Sequence, residues 1–216
     1  MKIGSGARVD DSAILNYAPG RDIPLRDLVI GRNARIRTNT VIYSNTRIGD
    51  GLETGHNVVI REENDIGDNF SIWNSSTLDY GCVVGDRVKV HCNTVVSQYT
   101  TIESDVFISA GVMVANDLHP LCTKCMEGPT IERGARIGLG SIILPRVNIG
   151  AHSLVAAGSM VTRDVPPRKM VRGYPARVIC DVDELECPLD IVERPYRDGL
   201  DVQAREAAGE KVEKEQ

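Results

Sequence analysis

The sequence has few aromatic residues and no long apolar run. Phe, Trp and Tyr make up 4% of its 216 residues, and Trp occurs once. No stretch reaches the roughly 18 apolar residues of a membrane-spanning helix. The N-terminus, MKIGSGARVDDSAILN, lacks the apolar segment of a secretion signal. We therefore expect a soluble, cytoplasmic protein without membrane contact, and a core built from aliphatic side chains rather than rings.

Charge and cysteine content exclude two further classes of protein. The net charge is -5 at pH 7, and no basic run or basic-aromatic patch is present, so we expect no nucleic-acid partner. Six cysteines in a chain of this length without a secretion signal do not predict a disulfide framework. We expect these thiols to be reduced.

A hexapeptide repeat dominates what is present. An amphipathic helix repeats at about 3.6 residues and a half-buried strand at 2, so neither produces this period. A short fixed period of this kind predicts a β-helix, a solenoid in which each repeat supplies a short strand. From position 30 to 114 every sixth residue is aliphatic except Thr54, and the series then resumes: Ile30, Ile36, Ile42, Ile48, Ile60, Ile66, Ile72, Leu78, Val84, Val90, Val96, Ile102, Ile108, Val114, Ile131, Ile137, Ile143, Ile149, Val155, Val161.

Two other positions of the repeat are also restricted. The fourth residue after each aliphatic is usually small or β-branched, as at Ala34 and Thr40. Gly often follows the aliphatic directly, as at Gly31, Gly67 and Gly85. We interpret these glycines as corner residues that need permissive backbone angles.

The repeat is interrupted twice. Residues 3–15 keep the hexapeptide step in a different register, and a segment with two prolines at 19–24 separates them from the rest. After Val114 the series would continue at position 120, but it resumes only at Ile131, so the chain between them contains an insertion. Insertions in a solenoid become external loops, so we predict one near 115–130.

The repeat stops after residue 161, where Pro166 and Pro167 cannot continue a ladder. We therefore predict a β-helix domain over 1–166 and a C-terminal extension over 167–216. Within the extension, RKMVRGYPARVI is expected to pack against the end of the prism. The acidic remainder is expected to be partly helical or a disordered tail.

The pattern [LIV]-G-x-x-[STAV]-x resembles that of the hexapeptide-repeat family, over about residues 30–161. The resemblance implies an all-β, left-handed parallel β-helix with three hexapeptides per coil, and about seven coils counted from Ile30. The segment from Ile108 to Ile179 is similar to the C-terminal half of acetyl-CoA-dependent sugar acetyltransferases.

Two branches of these enzymes share motifs with the chain. Galactoside, maltose and nodulation-factor O-acetyltransferases resemble it at His119-Pro120, and nucleotide-amino-sugar N-acetyltransferases at Gly55-His56-Asn57, Arg61-Glu62 and Asn93. The resemblance implies transfer of an acetyl group from acetyl-CoA to an amino group of a nucleotide-linked sugar. Sugar O-acetylation is the alternative.

The same resemblance implies roles for individual residues. His119 would act as general base, because imidazole titrates near neutrality, and Asp117 or Glu103 would orient it. Otherwise His119 is an ordinary exposed loop histidine. Asn93 would bind the acceptor or the thioester carbonyl as part of the catalytic pair, or else it is a corner asparagine of the solenoid.

Substrate and coenzyme contacts complete the implied site. Arg61, Glu62 and Asp117 would bind the acceptor, although Arg61 and Glu62 have the alternative of an exposed ion pair. Pantetheine would lie along late coils, and arginine would fork onto the nucleotide phosphates. The implied coenzyme residues are Gly140, Ala157, Thr162, Arg163 and Arg177.

Because family sites lie in grooves between prisms, the resemblance also implies a homotrimer. A γ-carbonic-anhydrase-like zinc protein and a non-catalytic trimeric scaffold are the competing hypotheses. The pair Cys122-x-x-Cys125 departs from both acetyltransferase branches and, even with His119, falls short of the four ligands of structural zinc. We therefore predict no metal site there.

Overall fold

The computed structural model describes residues 1–119, 122–190 and 195–196. Short parallel strands wind around an aliphatic core, and within the described residues the one helix is a 3-10 turn at Val182–Glu184, so no helix there could cross a membrane. In chain order the strands are β1 (Lys2–Ile3), β2 (Arg8–Val9), β3 (Ile14–Tyr17), β4 (Val29–Ile30), β5 (Arg35–Ile36), β6 (Val41–Tyr43), β7 (Arg47–Ile48), β8 (Glu53–Thr54), β9 (Val59–Ile60), β10 (Asp65–Ile66), β11 (Ser71–Ile72), β12 (Thr77–Leu78), β13 (Val83–Val84), β14 (Lys89–Val90), β15 (Val95–Val96), β16 (Thr101–Ile102), β17 (Phe107–Ile108), β18 (Met113–Val114), β19 (Thr130–Ile131), β20 (Arg136–Ile137), β21 (Ile142–Ile143), β22 (Asn148–Ile149), β23 (Leu154–Val155), β24 (Met160–Val161), β25 (Lys169–Gly173) and β26 (Ala176–Asp181).

Consecutive strands fall in turn on three faces of a prism. The first face has the order β1-β4-β7-β10-β13-β16-β19-β22, the second β2-β5-β8-β11-β14-β17-β20-β23-β25-β26, and the third β3-β6-β9-β12-β15-β18-β21-β24. Regular neighbours pair in parallel at a step of three hexapeptides, as Ile48 does with Ile66. The solenoid has about eight coils rather than about seven, because β1, β2 and β3 form a full coil ahead of Ile30.

Two positions of the repeat face the core: the aliphatic residue itself and the fourth residue after it. Every aliphatic of the series from Ile30 to Val161 is at most 3% exposed, and each buried one contributes roughly 1.5–3 kcal/mol. Thr54, the exception, is also buried, and its Oγ1 accepts a hydrogen bond from the Arg37 N–H at 3.0 Å. Except at Leu118 in the second insertion, the fourth residue after each aliphatic points inward as well. Where it is Ser or Thr, the hydroxyl can bond a carbonyl of the next coil, as Ser76 does.

The glycines that follow the aliphatics have a different cause from the predicted one. Gly85 does not adopt a positive φ, and an added Cβ would stand 2.5 Å from the Ser104 backbone N. These glycines are needed because the next coil passes against them. The positive-φ position comes two positions further along the repeat and is often Asn or Gly, as at Asn33 and Gly51.

Both interruptions leave the prism at the same turn, between a third-face strand and the first-face strand that follows. Ile3 pairs with Ile30, beyond the regular partner position 21, so residues 18–28 form the first insertion. Ile102 pairs with Ile131, beyond the regular partner position 120, so residues 115–129 form the second. The prediction of an external loop near 115–130 agrees with this placement.

The C-terminal extension begins by closing the prism. Strand β25 adds to the second face in parallel with β23, and β26 returns antiparallel to β25. Val165, Val171 and Val182 are buried at this end. Apart from residues 195–196, the predicted tail from 191 onward lies outside the described residues.

Two glycine substitutions distinguish the two reasons for glycine in the repeat, which are close approach of the next coil and a positive φ. Gly85→Ala forces a Cβ into the neighbouring backbone, and we expect a loss of about 3 kcal/mol in unfolding free energy. Gly158→Ala enters open space at φ +69°, and we expect a loss of only about 1 kcal/mol from the left-handed backbone. Urea unfolding of both variants measures the difference. A larger loss for Gly158→Ala would restore the backbone-angle interpretation.

Candidate active site

The edge where the two insertions leave the prism, between the third and first faces, is called the loop edge below. Arg61 and Glu62 lie on it. The Glu62 side chain is completely buried, and the Arg61 side chain is 28% exposed. Arg61 Nη2 donates to Glu62 Oε1 at 2.9 Å, and Arg61 Nη1 donates to Asp79 Oδ1 at 3.0 Å. The alternative of an exposed ion pair is therefore wrong.

The loop edge carries a continuous chain of polar contacts from one insertion to the other. In the first insertion, Arg21 Nη1 donates to Glu62 Oε1 at 3.2 Å. Further along, Gln98 Nε2 donates to Asp79 Oδ2 at 2.5 Å, and Asn116 Nδ2 donates to Gln98 Oε1 at 2.6 Å. Asn116 is the second residue of the second insertion. These contacts thus fix the base of that loop to the coils beneath it.

Aromatic rings reinforce the buried charges of this edge. The Arg21 guanidinium lies 4.0 Å from the Tyr80 ring centroid, and that of Arg61 lies 4.8 Å from it. Tyr80 in turn meets the edge of Tyr99 at 5.5 Å between centroids. Two guanidinium groups share one ring and one carboxylate, Glu62, because cation-π contact and ion pairing both compensate their partial burial.

The ionised form of Glu62 is favoured in the folded protein. Burial acts most strongly and opposes ionisation, but hydrogen bonds from its own backbone N–H and from Arg61, with the charge of Arg61, hold its pKa below the ordinary value. A carboxyl with a lowered folded pKa contributes stability above the unfolded pKa of about 4.3. That contribution is lost as the pH falls through the folded pKa.

The second insertion presents His119 on the outside of the loop edge. His119 is exposed, its N–H donates to Asp117 Oδ1 at 2.8 Å, and its carbonyl accepts from the Cys122 N–H at 2.8 Å. Asp117 therefore holds the backbone of His119. Glu103, the other predicted orienting group, lies on the edge between the first and second faces and accepts from the Arg133 N–H at 2.8 Å. Pro120 lies outside the described residues.

Contacts within the insertion and with neighbouring coils fix the base of this insertion. The Glu127 N–H donates to the Asn116 carbonyl at 2.8 Å, and the Glu127 carboxylate pairs with Arg146 at 2.8 Å. Gly128 passes so close to Thr100 that an added Cβ would lie 2.5 Å from the Thr100 N. His119 therefore extends from a fixed base.

Asn93 lies on a different edge, between the second and third faces, which is called the glycine edge below. Its φ is +56°, and the equivalent positions of the next three coils are Gly111, Gly140 and Gly158. An added Cβ would meet nothing within 4 Å at Gly140 or Gly158, and neighbouring Ala157 is exposed. The positive φ thus explains why Asn occupies position 93, and the equivalent positions of the later coils are glycines without a side chain.

A row of rings lies on the outer surface beside the glycine edge. The His91 ring stands between Trp73, at 6.4 Å between centroids, and Phe107, at 4.9 Å. All three side chains are partly exposed. His91 therefore packs within an aromatic stack next to Asn93.

The predicted site residues divide between the two edges. His119, Asp117, Arg61 and Glu62 belong to the loop edge, whereas Asn93, Gly140 and Ala157 belong to the glycine edge. The third face lies between these edges, so one chain does not bring His119 and Asn93 together. Thr162 and the exposed Arg163 follow the last third-face strand, at the end of the loop edge. Arg177 is exposed on β26, and its Nη1 donates to the Ala176 carbonyl at 2.7 Å.

Sequence analysis missed Arg21, Asp79, Gln98 and Asn116. The last three follow Arg61 at steps of 18, 19 and 18 residues, which is close to one coil per step. Arg21 gives no such signal, because it reaches the edge from an insertion.

No group of three His, Cys, Asp or Glu side chains close enough to hold a metal ion occurs within residues 1–119, 122–190 and 195–196. The thiols of Cys122 and Cys125 are in contact, with their Sγ atoms 2.6 Å apart. Both are free thiols.

Comparison with known proteins identifies relatives of this fold. Residues 27–62 match the family described as bacterial transferase hexapeptide (six repeats). Over 178 residues the chain is 32% identical to 2,3,4,5-tetrahydropyridine-2,6-dicarboxylate N-acetyltransferase of Halalkalibacterium halodurans, covering 82% of this chain and 65% of the relative.

Two further relatives have other names. Galactoside O-acetyltransferase of Escherichia coli is 34% identical over 99 residues, covering 42% of this chain and 49% of the relative. A putative acetyltransferase of Saccharomyces cerevisiae is 34% identical over 128 residues, covering 54% of this chain and 65% of the relative. The chain spans less than two thirds of the length of each of these relatives.

Glu62 and its neighbour Glu63 test the loop-edge network, because both pair with Arg21 but only Glu62 is buried. Glu62→Gln leaves Arg61 and Arg21 without their shared charge, so we expect a loss of about 3 kcal/mol in unfolding free energy at neutral pH. Glu63→Gln breaks an exposed pair and should cost below about 1 kcal/mol. The difference should shrink as the pH falls from the unfolded pKa of about 4.3 toward the lower folded pKa of Glu62, because the wild type then loses the contribution of the ionised carboxyl. Equal losses in urea unfolding at pH 7 would contradict the assignment.

Proposed function

Because residues 27–62 match the hexapeptide-repeat family, we propose that the chain is a member of it and an acyltransferase that moves an acetyl group from acetyl-CoA to an amino group of a nucleotide-linked sugar. One observation carries the proposal. The same prism has an anchored external loop bearing His119 on one edge and a bare strip above Asn93 on another. The relatives are named acetyltransferases, which agrees with this class of reaction.

The chemistry needs little beyond position and a base. The acceptor nitrogen attacks the thioester carbonyl carbon, and the His119 imidazole takes the proton that the nitrogen loses. The tetrahedral intermediate then releases the coenzyme as a thiolate, and this thiolate takes the proton from the imidazolium. The side-chain amide of Asn93 is the donor that we assign to the developing oxyanion on the glycine edge. No covalent acyl-enzyme is required.

The coenzyme would bind along the glycine edge. Gly140 and Gly158 leave room for the pantetheine arm to approach the backbone closely, because a Cβ at either position would meet nothing within 4 Å, and Ala157 beside them is small. Arg163, at the end of the loop edge, would reach the nucleotide phosphates from a neighbouring copy, and the exposed Arg177 on β26 is a second guanidinium suited to them. Thr162 would contribute beside Arg163.

The separation of the two edges supports a site shared by neighbouring chains. In a threefold assembly of prisms, the loop edge of one copy faces the glycine edge of the next, and His119 can then meet the coenzyme there. We therefore propose a homotrimer. Arg61, Glu62 and Asp117 would act from the loop side, and the internal contacts of Arg61 and Glu62 favour an indirect role in which they hold the loop base for the acceptor.

The acceptor is the least constrained part of the proposal. One relative is named for O-acetylation of a galactoside and another for N-acetylation of 2,3,4,5-tetrahydropyridine-2,6-dicarboxylate. A screen of nucleotide amino sugars, galactosides and this dicarboxylate with acetyl-CoA, followed as free coenzyme thiol, distinguishes them. Turnover with a galactoside alone would replace the amino sugar by the O-acetylation alternative.

Two hypotheses outside acyl transfer have direct tests. A γ-carbonic-anhydrase-like protein would hold zinc between subunits, so stoichiometric zinc in the purified protein together with hydration of carbon dioxide would favour it. A non-catalytic scaffold would fail to bind acetyl-CoA in a calorimetric titration.

His119 and His152 offer a matched test of the base. We expect His119→Asn to lower kcat by roughly 100-fold or more, the usual effect of losing a general base, while the dissociation constant of acetyl-CoA is unchanged. His152→Asn, on the edge between the first and second faces, should keep wild-type kcat, and Asn tolerates its φ of +55°. Unchanged turnover in His119→Asn, with the assembly intact, would remove His119 from the site.

A further inference from the structure

The proposed reaction makes no use of Cys122 and Cys125, although they are the two described thiols in mutual contact. Their Sγ atoms are 2.6 Å apart, about half an ångström beyond the roughly 2.05 Å of a disulfide bond. Both side chains are partly exposed in an external loop. A solute can therefore reach them, and a small rotation of the two side chains would bring the sulfurs to bonding distance.

The backbone already holds the two cysteines in one turn. The Cys125 N–H donates to the Cys122 carbonyl at 3.0 Å, and the Cys122 N–H donates to the His119 carbonyl at 2.8 Å. The cysteines thus approach each other through local hydrogen bonds. The same bonds join this turn to His119.

Metal binding fits this geometry poorly. Two thiolates on one tetrahedral zinc ion stand about 3.8 Å apart, for Zn–S bonds of about 2.3 Å. The observed separation of 2.6 Å is much shorter, and no third ligand accompanies the pair within the described residues. The described residues therefore do not complete a metal site around the pair.

The surroundings of Cys125 favour its protonated form. Contact with the Cys122 thiol is the first cause that raises the pKa of Cys125, followed by burial and the charge of Asp117, while Arg146 opposes them. Cys125 therefore stays protonated more readily than a free thiol.

We propose that Cys122 and Cys125 form a reversible dithiol–disulfide site that exchanges with low-molecular-weight disulfides of the glutathione type. The Cys122 thiolate attacks one sulfur of the oxidant, forming a mixed disulfide and releasing one thiol. Cys125 then gives up its proton and attacks the Cys122 sulfur, closing the Cys122–Cys125 bond and releasing the second thiol. The protein dithiol is oxidised, and one disulfide is reduced to two thiols.

The proposal does not depend on the acetyl-transfer reaction, but the cysteine pair is hydrogen-bonded to the backbone of His119, the proposed general base. Closing the disulfide fixes residues 122–125 into a small ring, whose first N–H is bonded to the His119 carbonyl. The redox state of the pair therefore sets how firmly this segment of the loop is held.

Lys124 lies between the two cysteines and makes the bond directly measurable. The folded protein is treated with millimolar oxidised glutathione, blocked with N-ethylmaleimide and digested with trypsin without reduction. Cleavage after Lys89, Lys124 and Arg133 places Cys122 in peptide 90–124 and Cys125 in peptide 125–133. We expect the two peptides to be linked, to separate on reduction, and to outnumber glutathionylated forms by at least about tenfold, because the second thiol reacts intramolecularly.

Two variants complete the test. Cys125→Ser should stop at the mixed disulfide between Cys122 and glutathione, since the resolving thiol is gone. Cys92→Ser should keep the link, which excludes Cys92, the other cysteine of peptide 90–124. Separate peptides with alkylated or individually glutathionylated cysteines in the wild type would overturn the proposal. So would stoichiometric zinc whose removal is needed before either thiol reacts.

Discussion

The structure depends on one constraint: each coil must place its inward side chains directly against those of the next coil. Within the coils, each parallel strand pairs with strands of the adjacent coils, and the core is a stack of aliphatic side chains. An extra residue inside a coil would displace every later inward position from the core. Additional chain is therefore accommodated at the turns, where residues 18–28 and 115–129 leave the prism.

This constraint explains why the two edges that matter are so unlike each other. The loop edge has received both insertions, and their ends must be fixed, so Glu62, Asp79 and Gln98 form a chain of contacts that reaches Asn116. The glycine edge needs no anchor, and in its later coils small residues leave the backbone accessible. A uniform interior thus supports two different surfaces, one that holds a loop and one that can admit an extended ligand.

The periodicity predicted most of the fold and a smaller part of the candidate site. A hexapeptide step has one repeating inward position, so the strands and the insertion before Ile131 followed from the sequence. The role of Gly85 did not, because close approach between coils and a positive φ both select glycine. The burial of Glu62 was also missed, since it depends on Arg21, which arrives from an insertion without any period. A period shows where the chain leaves the prism, but not which side chains meet outside it.

The central claim is that His119 of one chain acts at the glycine edge of its neighbour. The most direct measurement mixes two inactive variants, His119→Asn and Ala157→Trp, the latter blocking the coenzyme strip, and allows their subunits to exchange. In a random trimer about a quarter of the sites then combine an intact His119 with an intact strip, so we predict recovery of about a quarter of wild-type activity. Absence of recovered activity, with mixed oligomers confirmed by native mass spectrometry, would contradict the account.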